Sequence, residues 1–299
     1  MEKVMNGTLV SEVLYDELKK FLEEKNDKAL KLVDISVGND FGGEMYANMK
    51  KKKLEKMVGY NVESRHYNNI SYDELVTVIE DINNDEDITG VMLQLPLPKE
   101  LATYERKILD HINWRKDVDG LTTNSIGRVV VGEESLESCT PKGIITLLKV
   151  YGVDLTSKNV CIINRSNIVG KPLEQLFLRE NATTTLCHSK TSNLKDICSR
   201  CDIVVAAMNK QEMLDSSYVK NGAVIVDVGV HRNSEGKTVG DVKFDDVYEK
   251  ASLITPPTGG VGPMTICMLA YNTAKAKYGN EIDKVLENGI EKAKMIVNN

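Results

Sequence analysis

Tyr46 and Lys50 stand four residues apart in "YANMK". On a helix that spacing places the phenol and the ammonium side by side on one face. Such a pair can hold and move a proton once the lysine leaves its ordinary solvated setting. The same residues also fit a solvated basic face, because Lys50 opens a run of four lysines. Lys53, one turn further on, is a competing amine. Gln94 lies inside the otherwise apolar "VMLQLPLP". A buried amide left unpaired costs ~1–3 kcal/mol, so it must find partners. In α/β proteins the C-terminal end of a strand is also where ligand crevices form. "KDVDG" sets Asp117 and Asp119 two apart before Gly120. That is either an ordinary acidic turn or a carboxylate accepting paired N–H donors from a heterocycle.

A second group of residues suits a nucleotide. "NVCIINRSNIVGKP", residues 159–172, reads as strand, loop and helix, the arrangement that brings backbone N–H groups to a phosphate. Asn164 occupies a place where such loops carry glycine. The next strand, "TTTLCHSKT", ends in His188, Ser189 and Lys190 with no acidic residue. A carboxylate there would accept from the ribose 2′-hydroxyl of NAD, whereas a guanidinium and hydroxyls suit the 2′-phosphate of NADP. Arg165, Ser166 and Ser189 therefore favour NADP, with Arg165 merely capping its loop as the alternative. "PPTGGVGPMT" places three glycines ahead of a helix, at the end of the last strand, where it can close over a ligand.

The elements that must position these residues alternate between strand and helix. An amphipathic helix over 11–24, opened by Ser11, precedes a strand at 31–38 and a helix at 44–58. A weak strand in "YNVESRHY", a helix at 72–83 and a buried strand in "ITGVMLQLPLP" follow, then a loop around "KDVDGLTTNSIGRVV". The pattern restarts with a helix in "TPKGIITLLKVYG" and strands at 159–164, 183–188, 202–208, 223–229 and 252–255; residues 262–297 are helical. Alternation of this kind predicts α/β architecture with parallel sheets. We expect an N-terminal α/β catalytic domain, residues 1–140 with a returning C-terminal helix at 276–299, and a Rossmann-like doubly wound domain at 141–275.

Composition narrows the class further. A net charge of -6 argues against a nucleic-acid partner. No apolar run approaches the ~18–20 residues that span a bilayer. The first residues enter a charged amphipathic segment directly, so we expect a cytoplasmic protein with no membrane partner. Six cysteines read as free thiols there, with Cys198 and Cys201 as small side chains at a helix-to-strand junction. The four histidines are scattered, and no metal site is expected.

"YANMK", "QLPLP", "KDVDG", "CTPKG", "NRSNIVGKP", "HSKT" and "TGGVGPMT" follow one another in this order. With them the chain, over about residues 10–290, resembles the bifunctional methylenetetrahydrofolate dehydrogenase/methenyltetrahydrofolate cyclohydrolase family. The resemblance implies NADP-dependent oxidation of 5,10-methylenetetrahydrofolate, then hydrolysis to 10-formyltetrahydrofolate, in the one-carbon metabolism that serves purine biosynthesis. It implies tetrahydrofolate derivatives as substrates and a homodimer. By the same resemblance Lys50 is the catalytic lysine, Tyr46 positions it, Gln94 hydrogen-bonds to it and Asp119 holds the pterin ring. Leu93, Leu95 and the run Thr258, Gly259, Gly260, Val261, Gly262 and Pro263 complete the folate site. Asn164, Arg165, Ser166 and Ser189 hold NADP, with Val230 near its nicotinamide end. Like charge and desolvation beside a cationic methenyl substrate favour a neutral lysine, which could take a proton from water.

Three positions depart from the family pattern. Asn164 and Asn209 replace glycines, and Thr258 in "TPPTGG" replaces a proline. Asparagine tolerates positive φ best after glycine, so both asparagines are expected to keep the backbone path and to add bulk near the cofactor. Two other readings follow: a cyclohydrolase with weakened or altered-cofactor dehydrogenase activity, and, more remotely, a non-catalytic nucleotide-sensing module.

Overall fold

The computed structural model describes residues 3–26, 29–38 and 41–298, leaving aside the side chains at 41, 42 and 44. It divides into two compact units. One comprises Leu14–Cys139 and Ile266–Gly289; the other comprises Met1–Val13, Thr140–Thr265 and Ile290–Asn299.

Helix α1 (Gly7–Lys25) leads to β1 (Lys31–Val37), α2 (Phe41–Val58), β2 (Asn61–Tyr67), α3 (Tyr72–Asn84) and β3 (Ile88–Leu93). The three strands form a parallel sheet in the order β2-β1-β3. Ser71 and Glu74 close a capping box at the start of α3, and the helix buries Leu75, Ile79 and Ile82. These side chains share one core with Val33 and Ile35 of β1. Because strand side chains alternate, Asp34 between them points to the opposite face. Short helices α4 (Lys99–Ala102) and α5 (Glu105–Asp110) follow, then α6 (Thr123–Val131), where a loop was expected. Helix α6 forms because the Thr122 hydroxyl accepts from Ser125 N, while Gly132 ends it at φ 78°.

The second unit holds most of α7 (Cys139–Val150), then β4 (Asn159–Ile163), α8 (Gly170–Arg179), β5 (Thr183–Cys187), α9 (Leu194–Cys198), β6 (Ile203–Ala206) and β7 (Val224–Asp227). A small hairpin of β8 (His231–Arg232) and β9 (Thr238–Val239), helix α10 (Phe244–Tyr248) and β10 (Leu253–Ile254) complete it. The sheet is parallel in the order β10-β7-β6-β4-β5. The strand order therefore reverses between β4 and β6, and ligands of doubly wound sheets bind at the C-terminal ends of the strands flanking such a point. Cys161, Cys187, Cys198 and Cys201 are buried free thiols packed in this unit's core; the Cys161 sulfur lies 3.7 Å from that of Cys187 and 3.6 Å from that of Cys198.

Ser11 does not open α1. The helix begins at Gly7, Asn6 Oδ1 accepts from Leu9 N at 3.0 Å, and Ser11 is buried with its hydroxyl donating to Thr8 O. A Cβ at position 7 would collide with the Gly260 carbonyl, so only glycine fits there. Helices α11 (Val261–Tyr278) and α12 (Glu281–Val297) close the chain. The first part of α12 packs within the three-stranded unit: Glu281 pairs with Lys25 at 2.6 Å and Asp283 with Lys275 at 2.7 Å. Gly289 leaves room for Leu14 of α1.

Candidate active site

Lys50 is not part of a solvated face: it is 6% exposed. Its Nζ donates to Gln94 Oε1 at 3.1 Å, lies 3.9 Å from Met92 Sδ, and sits 4.9 Å from the centre of the Tyr46 ring. The helical four-residue spacing thus brings the phenol and the amine together, as the sequence predicts. Lys53 turns elsewhere, over the ring of Tyr15 at 5.7 Å. Gln94 directly follows β3 and anchors its own backbone by donating from N to Ile35 O at 2.8 Å. Its Nε2 donates to Asp34 Oδ1 at 2.6 Å. Leu93 is buried at the end of β3, and Leu95 is half-buried.

The two aspartates of "KDVDG" separate into different tasks. Asp117 is buried and accepts from Leu121 N at 3.1 Å, Thr122 N at 2.8 Å and the Ser125 hydroxyl at 2.7 Å. It ties the turn to the start of α6. Gly120 adopts φ 67° against the backbone of Leu136 and Ser138, where a side chain has no room. Asp119 lies within the field of Lys50. Its carboxyl is pushed up to about 6, first by burial; Lys50 opposes the shift, and Asp117 and Asp34 add to it. The Tyr46 phenol is pushed up to about 12, first by burial and then by Asp119, although 37% of the residue's surface stays exposed. Burial also raises Asp34, against the favourable charge of Lys50 and the Gln94 hydrogen bond. The result is a small polar cluster in which Tyr46, Gln94, Asp34 and Asp119 lie around Lys50. Sequence reasoning missed Asp34, although a lone charge inside "KLVDISV" is the same kind of signal as Gln94 inside "VMLQLPLP".

In the five-stranded unit, Asn164 lies just beyond β4, on the β4/β6 switch point. Its Nδ2 donates to Ala207 O at 2.6 Å, and its Oδ1 accepts from Ser166 N at 2.7 Å and Gly170 N at 3.1 Å. Asn164 therefore does not stand in for glycine through a positive φ, and its side chain is not spare bulk. It is the staple that joins the end of β6 to the start of α8, and two N–H groups of the loop are already bonded to it. Asn209 does fit the expectation, with φ 55°. Arg165 and Ser189 are exposed, and Ser166 is half-buried with its hydroxyl accepting from Val169 N at 3.1 Å. Because Asn164 already holds this loop, Arg165 is not needed as its cap. A guanidinium and hydroxyls at the ends of β4 and β5, without a carboxylate, fit a ribose 2′-phosphate.

Two buried carboxylates, not picked out from the sequence, shape the far side of this crevice. Asp241 accepts from the N–H groups of Met208, Asn209 and Lys210 at 2.7, 3.1 and 2.7 Å, and from His231 Nε2 at 2.8 Å. Asp227 accepts from Gly229, Asp241 and Val242 N at 2.9, 3.0 and 3.0 Å; burial pushes its carboxyl up to about 6 against these hydrogen bonds. Together they fix the loop after β6 and the turn that leaves Val230 67% exposed. "TGGVGP" packs against the chain's first turn: Thr8 N donates to Gly259 O at 3.0 Å, Gly259 adopts φ 81°, and Thr258 and Gly262 are exposed. Among the described residues no group of three or more His, Cys, Asp or Glu could hold a metal ion.

A family model described as the tetrahydrofolate dehydrogenase/cyclohydrolase catalytic domain matches residues 5–119, and its NAD(P)-binding domain matches residues 138–280. The chain belongs to the tetrahydrofolate dehydrogenase/cyclohydrolase family. It is 45% identical over 278 residues to the bifunctional protein FolD of Agathobacter rectalis, covering 92% of this chain and 99% of that one. It is 46% identical over 278 residues to the FolD of Clostridium perfringens, with the same coverage. Among solved structures, the bifunctional FolD of Campylobacter jejuni superposes with a TM-score of 0.87 at 38% identity, covering 91% of this chain and 97% of that one. The Trypanosoma brucei enzyme, solved with NADP and an inhibitor, superposes with a TM-score of 0.84 at 30% identity, covering 91% of this chain and 96% of that one. Family members thus carry the two-domain α/β architecture described above.

Proposed function

We propose that the protein oxidises 5,10-methylenetetrahydrofolate to 5,10-methenyltetrahydrofolate with NADP and hydrolyses the product to 10-formyltetrahydrofolate, with Lys50 as the base of the hydrolytic step. The observation that carries this is Lys50, 6% exposed, held by Gln94 Oε1 at 3.1 Å and over the Tyr46 ring. When bound, NADP supplies the hydride acceptor. The chain's own contribution begins with orientation: Asp119 takes the N–H donors of the pterin ring, and Leu93 and Leu95 line the folate. Arg165, Ser166 and Ser189 hold the 2′-phosphate, Asn164 keeps their loop in place, and Val230 lies toward the nicotinamide.

The hydrolytic step follows from the lysine's surroundings. The methenyl carbon carries positive charge, so a water oxygen forms a bond to it while Lys50 Nζ takes one water proton. The bond from that carbon to one nitrogen of the folate then breaks: that nitrogen takes up one of the two water protons, and the hydroxyl oxygen gives up its own as its bond to carbon becomes a carbonyl. The carbon leaves as a formyl group on the other nitrogen, and one proton is released to solvent. Tyr46, Gln94 and Met92 surround Nζ and hold it in place.

Assembly as a homodimer, a cytoplasmic location and a supply of one-carbon units to purine synthesis belong to the same proposal. Among the described residues no helix is long and apolar enough to cross a membrane. The test is one kinetic series on purified protein: methenyltetrahydrofolate formation followed by absorbance with NADP and with NAD, and its hydrolysis followed separately. Lys50→Met is expected to abolish hydrolysis. Hydrolysis at the wild-type rate in that variant would show that another group is the base.

A further inference from the structure

Asp34 is a buried carboxylate, 3% exposed, that the reaction as described does not use. It lies in β1 beside Met92 of β3, on the sheet face turned away from the Val33 and Ile35 core. Its Oδ1 accepts from Gln94 Nε2 at 2.6 Å, and Gln94 Oε1 accepts from Lys50 Nζ at 3.1 Å. The three side chains form one chain of hydrogen bonds whose direction has a chemical consequence.

A carboxylate can only accept, so the Gln94 amide must turn its NH₂ toward Asp34. Its oxygen is then the atom that faces Lys50. A neutral lysine has two N–H donors and one lone pair. With an acceptor at Gln94, an N–H is spent there and the lone pair is left for the reacting water. If the amide were reversed, its NH₂ would donate into that lone pair and the base would be occupied.

We propose that Asp34 is a positioning residue for the hydrolytic step: it fixes the orientation of the Gln94 amide and so leaves the Lys50 lone pair free for water. This rests on Lys50 being the base. The charge of Asp34 acts in the opposite sense. Lys50 and Lys51 are the cations that act on Asp34, and Asp119 and Tyr46 also face the lysine. Removing a carboxylate from this set favours the neutral amine and would by itself speed hydrolysis. The sign of the change therefore separates orientation from charge.

The variants are Asp34→Leu, which removes the acceptor at similar size, and Asp34→Asn, which keeps an acceptor in one of its two orientations. Both are compared with Lys50→Met, and each is assayed for hydrolysis and for NADP-dependent oxidation. General-base catalysis is worth ~10²–10⁴-fold, so partial loss of the base's aim should lower kcat for hydrolysis about 10- to 100-fold in Asp34→Leu. Asp34→Asn should fall between it and the wild type. KM for the methenyl substrate should change less than about 3-fold, and retained oxidation of methylenetetrahydrofolate shows that the variants fold. Should the leucine variant not fold, a clear drop in the asparagine variant carries the inference, and a rate within about 2-fold of wild type overturns it. An inactive Lys50→Met alongside an unchanged or faster Asp34→Leu also overturns it. A Lys50→Met that still hydrolyses at the wild-type rate refutes the role of the lysine instead.

Discussion

Replacing Asn164 by alanine tests whether this residue is a staple or an obstruction. The side chain makes three hydrogen bonds, at 2.6 Å to Ala207 O and at 2.7 and 3.1 Å from Ser166 and Gly170 N. A net hydrogen bond contributes ~1 kcal/mol, and a buried group left without one costs more. Asn164 and Ser166 are half-buried, so water can replace part of what is lost, but Gly170 is buried beneath them. The loss should come to about 2–3 kcal/mol, well beyond the roughly 0.5 kcal/mol of an ordinary surface change. The assay is urea unfolding followed by far-UV circular dichroism, with the midpoint expected to fall at unchanged slope. KM for NADP in the oxidation assay should rise in parallel, because the loop that carries Arg165 and Ser166 loses its tie to β6. The refuting result is specific: stability within about 0.5 kcal/mol of wild type together with tighter NADP binding would mean that the side chain only crowds the cofactor.

Gly170→Ala should destabilise by more than about 2 kcal/mol, since the added Cβ would collide with the Asn164 backbone carbonyl; an unchanged thermal midpoint would contradict that crowding. Arg165→Ala should raise KM for NADP about 10-fold or more and leave KM for NAD nearly unchanged, measured side by side, because only one of the two nucleotides carries the 2′-phosphate. Asp119→Asn should stabilise the protein at neutral pH. The carboxyl shifts from 3.8 to about 6 on folding, so its contribution is complete below pH ~4 and is lost as pH rises through ~6. That shift corresponds to at most about 3 kcal/mol, so urea midpoints of the variant and wild type should coincide near pH 4 and separate by pH 7. Asp241→Asn turns one of two accepting oxygens into a donor, facing either the Met208 and Asn209 N–H groups or Lys210 N–H and His231, and should raise KM for NADP about 10-fold while leaving hydrolysis intact.

Much of the site was legible in the linear chain, and the reasons are local. The spacing from Tyr46 to Lys50 is one helical turn, so their adjacency follows from secondary structure alone. The strands at 159–163, 183–187, 203–206 and 224–227 fall where short apolar runs alternate with helical patterns. Arg165 and Ser189 are exposed just beyond β4 and β5, and their place at strand ends follows from the strand pattern alone. What resisted was the partner of each polar group. Gln94 had to have partners, but sequence does not say that they are Lys50, 44 residues away, and Asp34, 60 residues away. Ser11 looked like a cap because its residue type suits one, yet Asn6 holds that role and Ser11 is buried.

The sequence by itself determined the alternation of strand and helix, the helical pairing of a phenol with an amine and the absence of a carboxylate at the end of β5. Each of these depends on residues within a few positions of one another. Only the tertiary structure decided which lysine of the run is buried, which aspartate of "KDVDG" is a staple for the turn and which lies within the field of Lys50, and that Asn164 ties its loop instead of imitating glycine. Those outcomes depend on which donors and acceptors distant strands bring within about 3 Å, and hydrogen bonds at that range are set by sheet register and helix packing, not by residue type.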